Sequence, residues 1–114
     1  MWICLNDGFL SIVQIKDNPG MLQVRARKRS HLESFIRGSS FERNIFRTPD
    51  RDYHWRVSLG RSTVVELLER QVLGIDYSNF KASVQDPRLH DMYATWWSDH
   101  ERYQRREHSS AGST

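Results

Sequence analysis

The run Leu22-Gln23-Val24-Arg25-Ala26-Arg27 alternates strictly between apolar and polar side chains. Successive side chains of a strand leave opposite sides of the backbone. A period of two therefore puts Leu22, Val24 and Ala26 on one face, and Gln23, Arg25 and Arg27 on the other. Residues 9–15 (Phe-Leu-Ser-Ile-Val-Gln-Ile) are rich in β-branched and aromatic types and read as a second strand. Asp17-Asn18-Pro19-Gly20 lies between them: proline presets φ and glycine takes conformations other residues avoid, so a turn is expected there. The result is a β-hairpin with one apolar and one basic face. Trp2–Leu5 reads as the first half of the 9–15 strand, interrupted at Asn6-Asp7-Gly8, which is either a tight turn or a bulge.

Further along, Ser30 and Glu33 have capping-box spacing for a short helix over 31–37, with Leu32, Phe35 and Ile36 on its buried side and Gly38-Ser39-Ser40 as its stop. Ile45-Phe46 suggests a short strand before the Thr48-Pro49-Asp50 turn. Tyr53-His54-Trp55-Arg56-Val57 alternates again, with Tyr53, Trp55 and Val57 inward and His54 and Arg56 outward. A helix over 62–73 follows, its apolar stripe formed by Val64, Leu67, Leu68 and Val72. Thr63 and Glu66 have cap spacing, Ser58 offers an earlier start, and Gly74 is placed as a left-handed terminator. Ile75 to Phe80 forms a corner leading into one or two helical turns through Val84. Asp86-Pro87 opens a last helix, with aspartate as cap and proline at the first helical position. Leu89, Met92, Tyr93, Trp96, His100 and Tyr103 share one face of it. The expected fold is α+β: an antiparallel sheet of three to four strands in ββαββα order, helices packed on one face, and an aromatic C-terminal helix. One domain over 1–104 and a flexible tail over 105–114 are expected.

The 114 residues leave room for one core, and 27% charged with 38% hydrophobic residues is ordinary for a globular chain. The single cysteine, Cys4, excludes an intramolecular disulfide and a multi-cysteine metal site. Its apolar neighbours Trp2, Ile3 and Leu5 suggest a buried, inert thiol. No signal-peptide pattern opens the chain and no apolar run approaches the ~20 residues of a membrane span. A reducing, cytoplasmic setting without a membrane partner is expected.

The net charge of +3 is unevenly placed. Residues 23 to 47 carry seven basic side chains against Glu33 and Glu42, a local +5, so the remainder sums to −2. Such a patch attracts phosphate or an acidic protein surface.

Several blocks occur together: Trp2 with Gly8-Phe9-x-Ser11-x-Val13, then Val24-Arg25-Ala26-Arg27, Asp52-Tyr53-x-Trp55-Arg56, Ile75-Asp76-Tyr77-x-Asn79-Phe80-Lys81 and Tyr93-x-x-Trp96. As a set they resemble a family of small, uncharacterised bacterial proteins, over nearly the whole chain to about Tyr103. The resemblance implies a compact bacterial cytosolic protein and carries no activity. Chains of this size are also common on phages and mobile elements, which admits an anti-defence inhibitor.

Chemistry is sparsely signalled. There is no Gly-x-Ser-x-Gly elbow and no phosphate-binding glycine loop. Asp86 and His90, four apart on one helix, lack the paired histidines of a zinc hydrolase helix. No cofactor or metal is expected. Asp76, Tyr77, Asn79 and Lys81 form either a ligand-contacting loop or a corner in which Asp76 caps the short helix and Ile75, Tyr77 and Phe80 pack inward. The expected contact surface is the basic sheet face, with Arg25, Arg27, His54 and Arg56 binding carboxylate or phosphate and Trp97, one position off the aromatic stripe, as a second anchor. A non-enzymatic module binding an acidic protein is the first expectation and nucleic-acid binding by the same patch the second. An enzyme using Asp76 is a third.

Overall fold

The computed structural model describes the backbone of residues 1–113 and the side chains of residues 1–106. Two compact units divide the chain, Met1–Ser78 and Asn79–Thr114. In the first, β1 (Trp2–Leu5), β2 (Gly8–Ile15), β3 (Asn18–Ala26), β4 (Phe46–Arg47) and β5 (Trp55–Gly60) form one antiparallel sheet in the order β1-β2-β3-β5-β4. Helices α1 (Arg29–Phe35) and α2 (Arg61–Leu73) belong to the same unit; α3 (Phe80–Ser83) and α4 (Pro87–Ser113) make up the second. The chain is thus α+β, with five strands instead of three to four. Its element order is βββαββααα, not ββαββα.

The additional strand comes from Asn6-Asp7. They form a two-residue connection, and Leu5 pairs Gly8 directly across it, so Trp2–Leu5 folds back on β2. The second corner is earlier than expected. Ile15 pairs Asn18, leaving Lys16-Asp17 at the tip with Asp17 at φ 63°, a left-handed conformation that aspartate tolerates better than most residues. Pro19 and Gly20 lie beyond that tip, within β3, where the ladder shifts register. Proline, lacking an N–H, is tolerated at such a break.

Alternation in β3 places the core as expected. Leu10, Ile12, Val24, Ala26, Val57 and Leu59 from the sheet meet Leu32, Phe35 and Ile36 at α1 and Val64 and Leu67 of α2. Phe35, Leu32, Leu10 and Val24 are almost wholly excluded from solvent, each such burial contributing about 1.5–3 kcal/mol.

Helix ends depart from the spacing signals. α1 starts at Arg29 after Lys28 and α2 starts after Gly60, both without a side-chain cap, so neither the Ser30–Glu33 nor the Thr63–Glu66 box forms. α1 ends at Phe35 with Ile36 as its cap, and Gly38, two residues further on, takes φ 81°, whereas Gly74 closes α2 at φ −86°, outside the left-handed region. α3 is capped by Asn79, whose Oδ1 accepts from Ala82 N at 3.1 Å, and not by Asp76. The Asp86 cap forms as expected, accepting from Arg88 N at 3.0 Å and Leu89 N at 3.4 Å.

On α4, Leu89 and Tyr93 are buried and Met92 and Trp96 half-buried. Tyr93 packs its ring 5.3 Å from that of Phe80 and 5.7 Å from that of Trp96. His100 and Tyr103 continue the stripe in spacing only; both are exposed. Most of the tail expected over 105–114 falls on residues 107–114, whose side chains lie outside the described residues. Among the described residues, no helix is long and apolar enough to cross a membrane.

Cys4 is exposed rather than buried. On the edge strand β1, Ile3 and Leu5 turn toward the core and Cys4, by alternation, turns away. Partial desolvation still pushes its thiol up, which disfavours the reactive thiolate.

Candidate binding surface

The basic face is assembled by register. Ser11, Arg25, Arg56 and Phe46 stand in one cross-strand row over β2, β3, β5 and β4. Arg25 and Arg56 are thus like charges in directly opposed positions, an unfavourable pairing unless something neutralises it. The segment before β5 does so. Asp52 accepts from Arg56 Nη2 at 3.3 Å, and the Tyr53 ring lies 4.7 Å from the Arg25 guanidinium and 4.3 Å from that of Arg27.

Tyr53 therefore does not obey the expected alternation. Strand pairing of β5 begins only at Trp55, so Tyr53 is free of the period of two and reaches the arginine face instead of the helix-covered core. It is buried, but beneath guanidinium groups. Trp55 does point to the core side, where it packs half-buried against the apolar cluster. Arg29 and Arg47 lie 5.4 and 5.8 Å from its ring. Two arginine–aromatic groups thus flank the same end of the sheet. Arg29, Arg47 and the role of Tyr53 were not legible as part of a site, because each depends on pairing across 8 or more residues of sequence.

Arg56, expected as a contact residue, is instead structural. Its side chain is 8% exposed. Nε donates to Thr48 Oγ1 at 3.1 Å and Tyr53 O at 3.4 Å, while Nη1 donates to Gln23 Oε1 at 2.8 Å. Burial, then the neighbouring Arg25 and Arg51 charges, push its pKa below the ordinary arginine value, with Asp52 and Asp50 opposing. Arg25 is half-buried, donating to Ser11 Oγ at 2.6 Å. Arg27, which donates to Asp52 O, and His54 are exposed. The solvent-facing cations at this end are Arg27, Lys28, Arg47 and Arg51, with His54, Asp50 and Asp52 among them.

Asp52 has a depressed pKa. The Tyr53 N–H bond (2.9 Å) is the foremost cause; a smaller desolvation opposes it, and the charges of Arg25, Arg56 and Arg27 add to the lowering. A depressed folded pKa stabilises the fold fully above the unfolded value of about 3.9, and that contribution is lost as pH falls through the folded pKa. Urea midpoints for wild type and Asp52→Asn should therefore converge between about pH 6 and pH 2.5. Equal losses in both chains across that range would remove Asp52 from the network.

The remaining expected residues fall in both units. Asp76 and Tyr77 belong to the first unit, Asn79 and Lys81 to the second. Asp76 is exposed, and Lys81 lies 4.3 Å over the ring of Trp97, which is 52% exposed. Among the described residues, no group of three His, Cys, Asp or Glu side chains is arranged to hold a metal ion. No family model, no curated protein and no solved structure matches the chain.

Proposed function

We propose that this chain is a non-enzymatic interaction module, bacterial and cytoplasmic, that binds an acidic protein partner through the arginine-rich end of its sheet. The observation that supports this reading is the pairing of each of two rings with two arginines: Tyr53 with Arg25 and Arg27 at the end of β3, and Trp55 with Arg29 of α1 and Arg47 of β4. A guanidinium stacked on a ring keeps its N–H edge available and loses less conformational freedom when it grips a carboxylate. Arg27 and Arg47 are the exposed members of the two groups and supply the grip, with Arg51 and His54 beside them. Trp97 is a second, separate anchor in the same proposal.

A protein partner is favoured over nucleic acid for two reasons. Tyr53 is buried and Trp55 half-buried, each with guanidinium groups beside its ring, so neither is the open aromatic platform on which bases stack. Asp50, Asp52 and Glu33 are interspersed with the cations, so a continuous phosphate backbone meets repulsion that a patterned protein surface avoids. Membership of the small bacterial family suggested by the sequence blocks belongs to this same proposal.

The test is affinity capture from a bacterial lysate, with and without nuclease, comparing wild type with Arg27→Glu/Arg47→Glu. The expected result is a nuclease-resistant protein that the double variant recovers at least about tenfold less, since charge reversal at an interface adds repulsion to the lost bonds. If all captured material is nucleic acid, the protein reading gives way to the nucleic-acid one.

A further inference from the structure

Away from the basic end, a groove of about 380 Å³ separates β1 from the C-terminal half of α2. Its origin is legible in α2. Val64 and Leu67 face the sheet and are buried, and a second apolar row, Val65, Leu68 and Val72, runs beside them at three- and four-residue steps. Leu68 reaches the core, but Val72 is 66% exposed and Ile75, just past the helix end, is 52% exposed. Opposite them Ile3 and Leu5 of β1 form the other wall.

One charged side chain lines this groove, Arg70. Its Nη2 donates to the Arg37 carbonyl at 2.6 Å, which fixes the guanidinium without neutralising it. Among the described residues, no carboxylate oxygen forms an ion pair with Arg70. Pockets with apolar walls and a few placed polar groups are the usual form of a small-molecule site. The groove's volume lies within the range of such sites, roughly 300–1,000 Å³.

We infer that this groove binds a monomeric amphipathic carboxylate, with its chain along Ile3, Leu68, Val72 and Ile75 and its head group on Arg70. An unneutralised cation at one apolar trough complements a ligand with one anionic end and an apolar body. A neutral chain would leave the Arg70 charge without a counter-ion, and a cationic one would be repelled. The site involves none of the residues of the basic end, so the two proposals stand or fall separately.

Isothermal titration of the full chain with decanoate below its micelle concentration tests the inference, with decan-1-ol and decylammonium as comparison ligands. Saturable one-site binding of decanoate is expected, with decylammonium weaker than decanol. Arg70→Gln should weaken decanoate about tenfold, the effect of losing one charge-assisted contact, and leave decanol unchanged. Val72→Glu should abolish binding of both, whereas Leu73→Glu, on the same helix at a 77% exposed position outside the groove, should leave both unchanged. The inference is overturned by non-saturable decanoate heats, by equal affinity in Arg70→Gln, or by equal losses in Val72→Glu and Leu73→Glu. Sedimentation that shows a dimer dissolved by Val72→Glu would also overturn it, by giving the groove to a second copy of the chain.

Discussion

Replacing Arg56 by alanine is expected to cost about 3–4 kcal/mol of folding stability, because a buried guanidinium would be removed from acceptors arranged around it. Gln23, Thr48, Asp52 and the Tyr53 carbonyl all accept from it, and together they tie residues 48–53 to strands β3 and β5. Asp52 is 65% exposed, so water recovers much of its loss; Gln23 and Thr48 are less accessible and carry most of the cost. Arg56→Lys should rescue little. One ammonium does not span the positions that the planar fork reaches. Arg27→Ala is the control: Arg27 is exposed, and its loss should cost less than about 1 kcal/mol. Urea unfolding of the four chains measures this, and equal costs for Arg56→Ala and Arg27→Ala would mean that the network does not hold the loop.

Gly8→Ala should be nearly as damaging, at about 2–3 kcal/mol, for a steric reason. A Cβ at Gly8 would stand 2.9 Å from His31 Cβ, 3.0 Å from its Cγ and 3.1 Å from its Cα, so either β2 or α1 has to move. The bond from Phe9 N to His31 Nδ1 (3.3 Å) resists that movement, since His31 is buried and the bond docks the start of α1 on β2. Gly20→Ala provides the contrast. Its new Cβ would meet only Asn18 Oδ1 at 3.8 Å, ordinary contact, and should change stability by less than about 1 kcal/mol. Thermal unfolding of the two variants distinguishes them; similar midpoints would mean that the β2–α1 approach is looser than described.

These expectations separate two kinds of arginine in one short stretch of sheet. Arg56 belongs to the fold and Arg27 to the surface, although both occupy polar positions of alternating runs, Arg56 within β5 and Arg27 just past the end of β3. Arg25 is intermediate, half-buried and tied to Ser11 and Tyr53. Mutating the whole patch at once would confuse stability with binding. For that reason the double variant Arg27→Glu/Arg47→Glu leaves Arg25 and Arg56 in place.

Some of this was determined by the sequence by itself. The period of two in Leu22–Arg27 specifies which side chains face the core, and Asp86-Pro87 specifies where α4 begins; both are local consequences of backbone geometry. The α+β class follows from the same local signals. Tertiary structure decided the rest. Asn6-Asp7 is a turn and not a bulge because Trp2–Leu5 has β2 to pair with, a choice that local conformation leaves open. Tyr53 changes sides because β5 pairing starts at Trp55, and a period of two has no meaning outside a ladder. Arg56 became structural and Arg27 stayed accessible through contacts that join residues 23, 48, 52 and 56 across three segments of the chain. Alternation assigns a side chain to a face; whether that face has acceptors waiting for it depends on the strands that arrive beside it.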